Sequence, residues 1–117
     1  MDKLDASAIE NFLHGQVECW NSGDREGFFN HYRSVSPNGL VIEYVGRPAM
    51  DGFAVLESMW EQQNGEFYVD VEEAIICANE AACRHNNIKR QGSGQIRTIE
   101  LYKFENGKTT VRYFIKT

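Results

Sequence analysis

The chain has 117 residues, of which 12 are Lys or Arg and 17 are Asp or Glu, giving a net charge of −5. This length predicts one domain over residues 1–117, and the acidic balance argues against a nucleic-acid partner, which would require a basic surface. No run approaches the roughly 20 apolar residues of a membrane helix, and no secretory signal is visible. Three cysteines without a C-x-x-C motif favour free thiols and a cytoplasmic protein.

The first predicted helix follows a capping-box pattern, in which Ser7 precedes Glu10 by three residues. Gly23 is expected to end this helix in a left-handed conformation. Helical spacing predicts one buried stripe, formed by Ile9, Phe12, Leu13, Val17 and Trp20.

Two further helices are predicted, each with an aspartate at its N-cap. Asp24 begins a short helix that runs to about Tyr32. Asp51 begins a third helix, which Asn64 and Gly65 stop. Between these two helices lies the apolar stretch "LVIEYVG", which predicts a strand with Glu43 at its centre.

The chain after Gly65 predicts a series of strands, with Asn106-Gly107 as a type I′ hairpin turn. Three helices followed by an antiparallel meander indicate an α+β fold, with the helices packed on one face of the sheet. The predicted strands span residues 67–77, 82–90, 95–104 and 109–116.

Large apolar side chains occur on both faces of the last strands, whereas three helices can cover only one face. A large uncovered apolar patch usually marks an interface, so we expect a two-fold homodimer through the outer sheet face. Scattered surface hydrophobic residues are the alternative interpretation. The expected interface residues are Ile99, Leu101, Val111, Tyr113 and Ile115.

Three carboxylates, those of Glu43, Asp70 and Glu100, lie within predicted strands and are flanked by apolar residues. Two carboxylates in one dry cavity would have divergent pKa values, so that one could act as a base and the other as a protonated donor. Each could equally point outward from a half-solvated sheet.

Histidine spacing gives no support for a metal site, because neither H-x-x-H nor H-E-x-x-H occurs. His14 and His31 lie beside polar residues on predicted helices, which favours the surface. His85 could line a pocket or be a structural histidine with satisfied hydrogen bonds. No phosphate- or dinucleotide-binding glycine motif is present, so no cofactor is expected.

Four segments, "CWNSGDREGFFNHY", "VIEYVGRPAMDGFAVLESMW", "ANEAA" and "IELYKFENGK", resemble the ketosteroid-isomerase-like, SnoaL-like superfamily, which includes nuclear transport factor 2. Their order and spacing cover residues 9–115. The resemblance implies a strongly curved, mostly antiparallel sheet wrapped around three helices, forming a cone with an internal pocket. This fold hosts isomerases, hydratases, cyclases, epoxide hydrolases and non-catalytic binders, so the fold alone does not give the function.

The resemblance also implies roles for three residues. Glu43 matches the position of the general base of ketosteroid isomerase, and Glu100 matches its protonated acid. Gln16 stands at the position of the oxyanion-binding tyrosine, where its amide could donate a hydrogen bond.

The expected pocket is polar, since Asp70, His85, Asn87 and Arg112 would face it by the same alignment or by strand alternation. A steroid pocket would be mostly apolar, so a small and fairly polar substrate is expected. Arg112 could hold the substrate or pair with one of the carboxylates. The further candidates for the pocket wall are Met59, Trp60 and Phe114.

Three functional hypotheses follow. The first is a proton-transfer enzyme without cofactor, an isomerase, hydratase or hydrolase, with Glu43 as base and Glu100 and Gln16 as oxyanion donors. The second is a non-catalytic domain that binds a small ligand or a protein partner. The third is a structural dimer with a salt-bridged core.

Overall fold

The computed structural model describes residues 4–116, which form three helices and six strands. The helices are α1 (Ala6–Ser22), α2 (Arg25–Val35) and α3 (Gly52–Gln63). The strands are β1 (Leu40–Tyr44), β2 (Met50–Asp51), β3 (Phe67–Cys77), β4 (Glu80–Lys89), β5 (Gln95–Glu105) and β6 (Lys108–Ile115). Within the described residues, none of the helices has the length and apolar character needed to span a membrane.

Helix α1 begins earlier than its sequence predicts. The carboxylate of Asp5 accepts a hydrogen bond from the backbone N–H of Ala8 at 2.8 Å, which makes Asp5 the N-cap. The predicted capping box at Ser7 is therefore wrong, because Ser7 already lies in the first helical turn. The predicted end is confirmed, since Gly23 has a φ of 78° and its N–H bonds to carbonyls of the last turn.

The other two predicted N-caps are confirmed. Asp24 accepts a hydrogen bond from the N–H of Gly27 at 3.0 Å, and Asp51 accepts one from Ala54 at 3.1 Å. Gly52, the first residue of α3, lies so close to β1 that a Cβ atom there would be 2.3 Å from Cγ of Leu40. Only glycine allows this helix to start against the strand.

The six strands form one mixed sheet in the order β2-β1-β6-β5-β4-β3. Strands β1 and β6 are parallel and all other neighbours are antiparallel, which confirms the α+β prediction. Asn106 and Gly107 both have positive φ angles, as the predicted type I′ turn requires. The two-residue strand β2 was not expected.

The curved, unclosed sheet packs its inner face against the helices, which agrees with the expected cone-like architecture. A register irregularity between Val71 and Glu73 in β3 bends the strand and increases its local twist. The largest fully buried side chains lie between sheet and helices and include Ile9, Phe12, Tyr32, Ile42, Leu56, Tyr102, Phe104 and Val111.

The predicted interface set on the outer sheet face is partly wrong. In the β5–β6 register, Ile99 lies opposite Phe114 and Leu101 lies opposite Arg112, so these four side chains share the outer face. Residues alternate between faces along a strand, which places Val111, Tyr113 and Ile115 on the inner face. Val111 and Tyr113 are buried in the core.

Candidate functional site

A cavity of about 210 Å³ lies between the helices and the inner face of the sheet. Six aromatic residues contribute most of its apolar wall: Trp20, Phe28, Tyr32, Tyr44, Phe67 and Tyr113. The polar residues of the wall are Gln16, Gln63, His85, Asn87, Thr98 and Glu100.

The two central polar residues of the wall are His85 on β4 and Glu100 on β5, which project from the same face of neighbouring strands. Nδ1 of His85 lies 2.8 Å from Oε2 of Glu100, and both side chains are buried. A pair at this distance in a water-poor site is a charge-assisted hydrogen bond.

The carboxylate of Glu100 also accepts hydrogen bonds from its own strand. The hydroxyl of Tyr102 donates to Oε1 at 2.5 Å, and the hydroxyl of Thr98 donates to Oε2 at 3.2 Å. Both donors are two residues from Glu100 and therefore share its face. With three donors directed at it, the carboxylate is stabilised in its ionised form.

These contacts shift the pKa of both partners. Burial lowers the pKa of His85, but the charge of Glu100 and the hydrogen bonds to Cys83 and Glu100 raise it to about 10. Burial alone would raise the pKa of Glu100, but the charge and hydrogen bond of His85, together with Tyr102 and Thr98, hold it below its ordinary value. At neutral pH the site therefore contains an imidazolium paired with a carboxylate.

Three buried tyrosines surround this pair. Burial, followed by the negative charge of Glu100, raises the pKa of Tyr32 and Tyr102 above the usual range. Burial, followed by the neighbouring Tyr32, does the same to the pKa of Tyr113. All three phenols are therefore neutral at physiological pH and act as hydrogen-bond donors and not as charges.

Gln16 projects from α1 into the cavity. Its side chain is only 5% exposed and lines the cavity. An amide in this position can donate or accept a hydrogen bond with a ligand.

Asn87, by contrast, is held in place from within the sheet. Its side-chain Nδ2 donates to the carbonyl of Ile96 at 2.8 Å and to the hydroxyl of Thr98 at 3.2 Å. This leaves only the amide oxygen of Asn87 for a ligand.

Metal ligands are not grouped in the described part of the chain, since no cluster of three His, Cys, Asp or Glu side chains there could hold an ion. The polar groups of the cavity are suited to hydrogen bonding with an organic ligand.

Glu43 is not in the cavity, and its predicted place there is wrong. Its Oε1 accepts a hydrogen bond from Nε of Arg112 at 3.2 Å, and the two residues lie side by side on β1 and β6. Leu40 and Ile42 of the same strand are buried, so alternation places Glu43 outward and Tyr44 inward. The predicted place of Arg112 in the cavity is wrong for the same reason.

Three other predicted wall residues also lie elsewhere. Asp70 is exposed on β3, because its neighbour Val69 takes the inward position. Phe114 lies on the outer face beside Arg112, whose guanidinium is 5.3 Å from the ring centroid. Trp60 packs in the core, 5.2 Å from the ring of Trp20.

The cavity does bring together five of the predicted residues. They are Gln16, Met59, His85, Asn87 and Glu100.

The aromatic part of the wall was missed, although strand alternation contains a signal for it. Placing Leu40 and Ile42 inward also turns Tyr44 inward, and Tyr102 shares a face with Glu100 in the same way. In β1 both alternating sets are largely apolar, so the one charged residue, Glu43, was the only indication of which set faces outward.

Solved structures with this architecture come from several bacteria. A cystatin-like protein of unknown function from Methylobium petroleophilum is 20% identical, with a TM-score of 0.75, over 98% of this chain and 80% of the other. A candidate ketosteroid isomerase from Kribbella flavida is 13% identical, with a TM-score of 0.74, over 95% and 79%. A candidate SnoaL-like polyketide cyclase from Jannaschia sp. is 15% identical, with a TM-score of 0.73, over 99% and 91%.

Sequence comparison adds no closer relationship, because neither a family model nor a curated protein matches the chain. The structural likeness spans nearly the whole chain and agrees with the order of its elements. The chain therefore has the ketosteroid-isomerase-like and SnoaL-like fold, which it shares with NTF2-like proteins.

Proposed function

We propose that the chain is a small-molecule enzyme of acid–base type, in which His85 is the proton donor and Glu100 is its positioning partner. The observation that supports this most strongly is the buried pair of Nδ1 of His85 and Oε2 of Glu100, 2.8 Å apart, on the wall of the cavity. A charged pair enclosed by aromatic residues is costly unless it serves a purpose, and tuned pairs of this kind concentrate at functional sites.

Glu100 has a different role in this proposal from the one implied by the family resemblance. A protonated acid would donate a hydrogen bond to the substrate. Here the carboxylate accepts from Tyr102, Thr98 and His85 and has no proton to give. It fixes the orientation of the imidazole through Nδ1 and keeps the ring protonated, and we assign Nε2 of His85 to the substrate.

The reaction supported by these groups is enolisation of a carbonyl compound. The proton on Nε2 of His85 moves to the carbonyl oxygen, and the amide of Gln16 donates a second hydrogen bond to it. The adjacent carbon loses its proton to water, and the C–H electron pair forms the enol double bond. In an unsaturated ketone the hydronium ion then protonates another carbon, the enol O–H proton returns to Nε2 of His85, and an isomerisation is complete. In a cyclisation the enol carbon attacks a second carbonyl of the ligand, whose oxygen takes the hydronium proton, and the enol O–H proton again returns to His85.

A second candidate is a binding protein without catalysis. Glu100 is the one carboxylate among the described residues of the cavity wall, and it is already paired. The wall therefore offers no free carboxylate base for a C–H proton, which favours this alternative.

Hydrogen–deuterium exchange separates the two candidates without knowledge of the substrate. Cyclic and aryl ketones would be incubated in D2O with the protein, and deuterium at the carbon beside the carbonyl would be measured by NMR. We expect exchange with the wild-type protein to exceed that with His85→Gln by at least about a hundredfold. The Glu43→Gln variant is the matched control and should retain full activity. Equal exchange by the wild-type and His85→Gln proteins would contradict the enzyme proposal.

We also propose a two-fold homodimer through a reduced outer patch, defined by Ile99, Leu101 and Phe114. Ile99 is 45% exposed and Phe114 is 37% exposed, and the two lie opposite each other in the β5–β6 register. Both signs of charge occur on the same face, where Glu72 pairs with Arg97. A face with an apolar centre and mixed charges is complementary to a second copy of itself.

A further inference from the structure

We infer that the ligand of this cavity is an uncharged compound of one or two rings that carries a carbonyl or a similar hydrogen-bond acceptor. This inference rests on the cavity being the ligand site of the proposed function. It differs from the fairly polar substrate that the sequence predicts. The size of the cavity, its charge, the composition of its wall and the amide of Gln16 on that wall each restrict the ligand separately.

Size comes first. The cavity measures about 210 Å³, whereas an apolar cavity of about 150 Å³ inside a protein holds one benzene ring. The additional volume accommodates ring substituents or a second small fused ring. A four-ring steroid would exceed this volume.

The charge of the cavity wall disfavours an ionised ligand. The ionised groups of the described wall are His85 and Glu100, and their charges cancel. The arginine that the sequence predicts in the pocket, Arg112, lies on the outer face with Glu43. A ligand carboxylate or phosphate would lose its hydration without gaining a counter-ion, which strongly disfavours its entry.

The wall favours flat rings. Tyr44 and Tyr113 stack at a centroid distance of 5.3 Å with 24° between their planes, and they present aromatic surface to the cavity. Trp20, Phe28 and Phe67 add further ring surface. Offset and edge-to-face contacts with such walls stabilise a planar ring more than a flexible chain of equal area.

The amide of Gln16 favours a ligand with a hydrogen-bond acceptor. It lies on the cavity wall and is 5% exposed, so a ligand without a polar group would cover this donor and offer it no hydrogen bond. The protonated ring of His85 likewise offers a donor. A carbonyl oxygen directed at these two groups satisfies both.

Calorimetric titration of the full chain with three matched probes tests this inference. The probes are indane, 1-indanone and indane-1-carboxylate, which share a two-ring skeleton and differ in one polar group. We expect 1-indanone to bind about tenfold more tightly than indane, because it satisfies the donors of the cavity. The carboxylate should bind at least about tenfold more weakly than 1-indanone.

A Gln16→Leu variant tests the acceptor contact. It should lose about tenfold in affinity for 1-indanone and keep its affinity for indane. If this variant fails to fold, the ranking of the three probes on the wild-type protein decides alone. Equal or tighter binding of the carboxylate, or no binding of 1-indanone, would overturn the inference. Binding of 1-indanone without deuterium exchange would remove the proposed catalysis and leave the ligand class standing.

Discussion

Nδ1 of His85 and Oε2 of Glu100 lie 2.8 Å apart on neighbouring strands, inside a cavity that six aromatic residues line. The hydroxyls of Thr98 and Tyr102 complete the hydrogen bonding of the carboxylate. The arrangement fixes charge in a place where water is largely excluded.

Replacement of Glu100 by glutamine should destabilise the protein by about 3 kcal/mol, because it leaves the imidazole of His85 buried without its counter-ion. Urea unfolding followed by tryptophan fluorescence measures this, since Trp20 lies in the core. The matched control is Glu43→Gln, which removes a carboxylate from the partly exposed pair with Arg112. It should cost less than about 1 kcal/mol. Equal losses of stability in the two variants would contradict the distinction between the buried pair of His85 and Glu100 and the partly exposed pair of Glu43 and Arg112.

The stability provided by the pair should depend on pH on both sides of neutrality. The pKa of His85 is raised from 6.5 to about 10, so its contribution is complete below pH 6.5 and is lost as the pH rises towards 10. The pKa of Glu100 is lowered from 4.5, so its contribution is complete above pH 4.5 and is lost as the pH falls through the lowered value. The pair therefore contributes most between about pH 4.5 and 6.5.

The contribution of the pair to stability can be measured at each pH as the difference in unfolding free energy between the wild-type protein and a His85→Gln variant. The difference should shrink steadily between pH 6.5 and 10. A difference that stays constant over this range would mean that His85 is neutral in the folded protein.

Replacement of Tyr102 by phenylalanine should cost about 1–2 kcal/mol, because it removes a donor from the buried carboxylate and keeps the ring in the core. The pKa of Glu100 should rise, since one of the interactions that lower it is lost. Carbon-13 NMR of the glutamate carboxyl group measures that change. The control is Tyr44→Phe, because Tyr44 lines the cavity and is not a donor to Glu100 in the described structure. An unchanged pKa of Glu100 in Tyr102→Phe would show that this hydrogen bond does not stabilise the charge.

Replacement of Ile99 by aspartate should convert the proposed dimer to a monomer, because it introduces a charge into the centre of the outer patch. Sedimentation velocity measures the outcome over a range of concentrations. The control is Met50→Asp, which changes a side chain of similar exposure on the edge strand β2. A wild-type protein that sediments as a monomer at all concentrations would exclude this interface.

The helix caps and the hairpin turn could be predicted from the sequence because each depends on residues only a few positions apart. Asp24 and Asp51 cap helices through N–H groups three positions away, and Asn106-Gly107 adopts a turn that few other dipeptides favour. The parallel pairing of β1 with β6 joins residues about 70 positions apart and has no local signal.

The candidate site was harder to predict because a shift of one residue reverses the face of every side chain in a strand. In β1 both alternating sets are apolar apart from Glu43 itself, so the predicted position of Glu43 depended on the family resemblance, which favoured the wrong face. In β5 the side chains of Thr98, Glu100 and Tyr102 share one face, and the predicted place of Glu100 in the cavity is correct. The pairing of Glu100 with His85 depends on the β4–β5 register, which the sequence does not specify.

Nitrogen-15 NMR of His85 over pH 5 to 11 tests the central claim most directly. The structure predicts that both ring nitrogens stay protonated through pH 8 and that the ring titrates near the pKa of about 10. In Glu100→Gln the pKa of His85 should fall, because burial lowers it and the charge of Glu100 no longer raises it. Titration of His85 near pH 6.5 in the wild-type protein would contradict the claim that a charged pair lines the cavity.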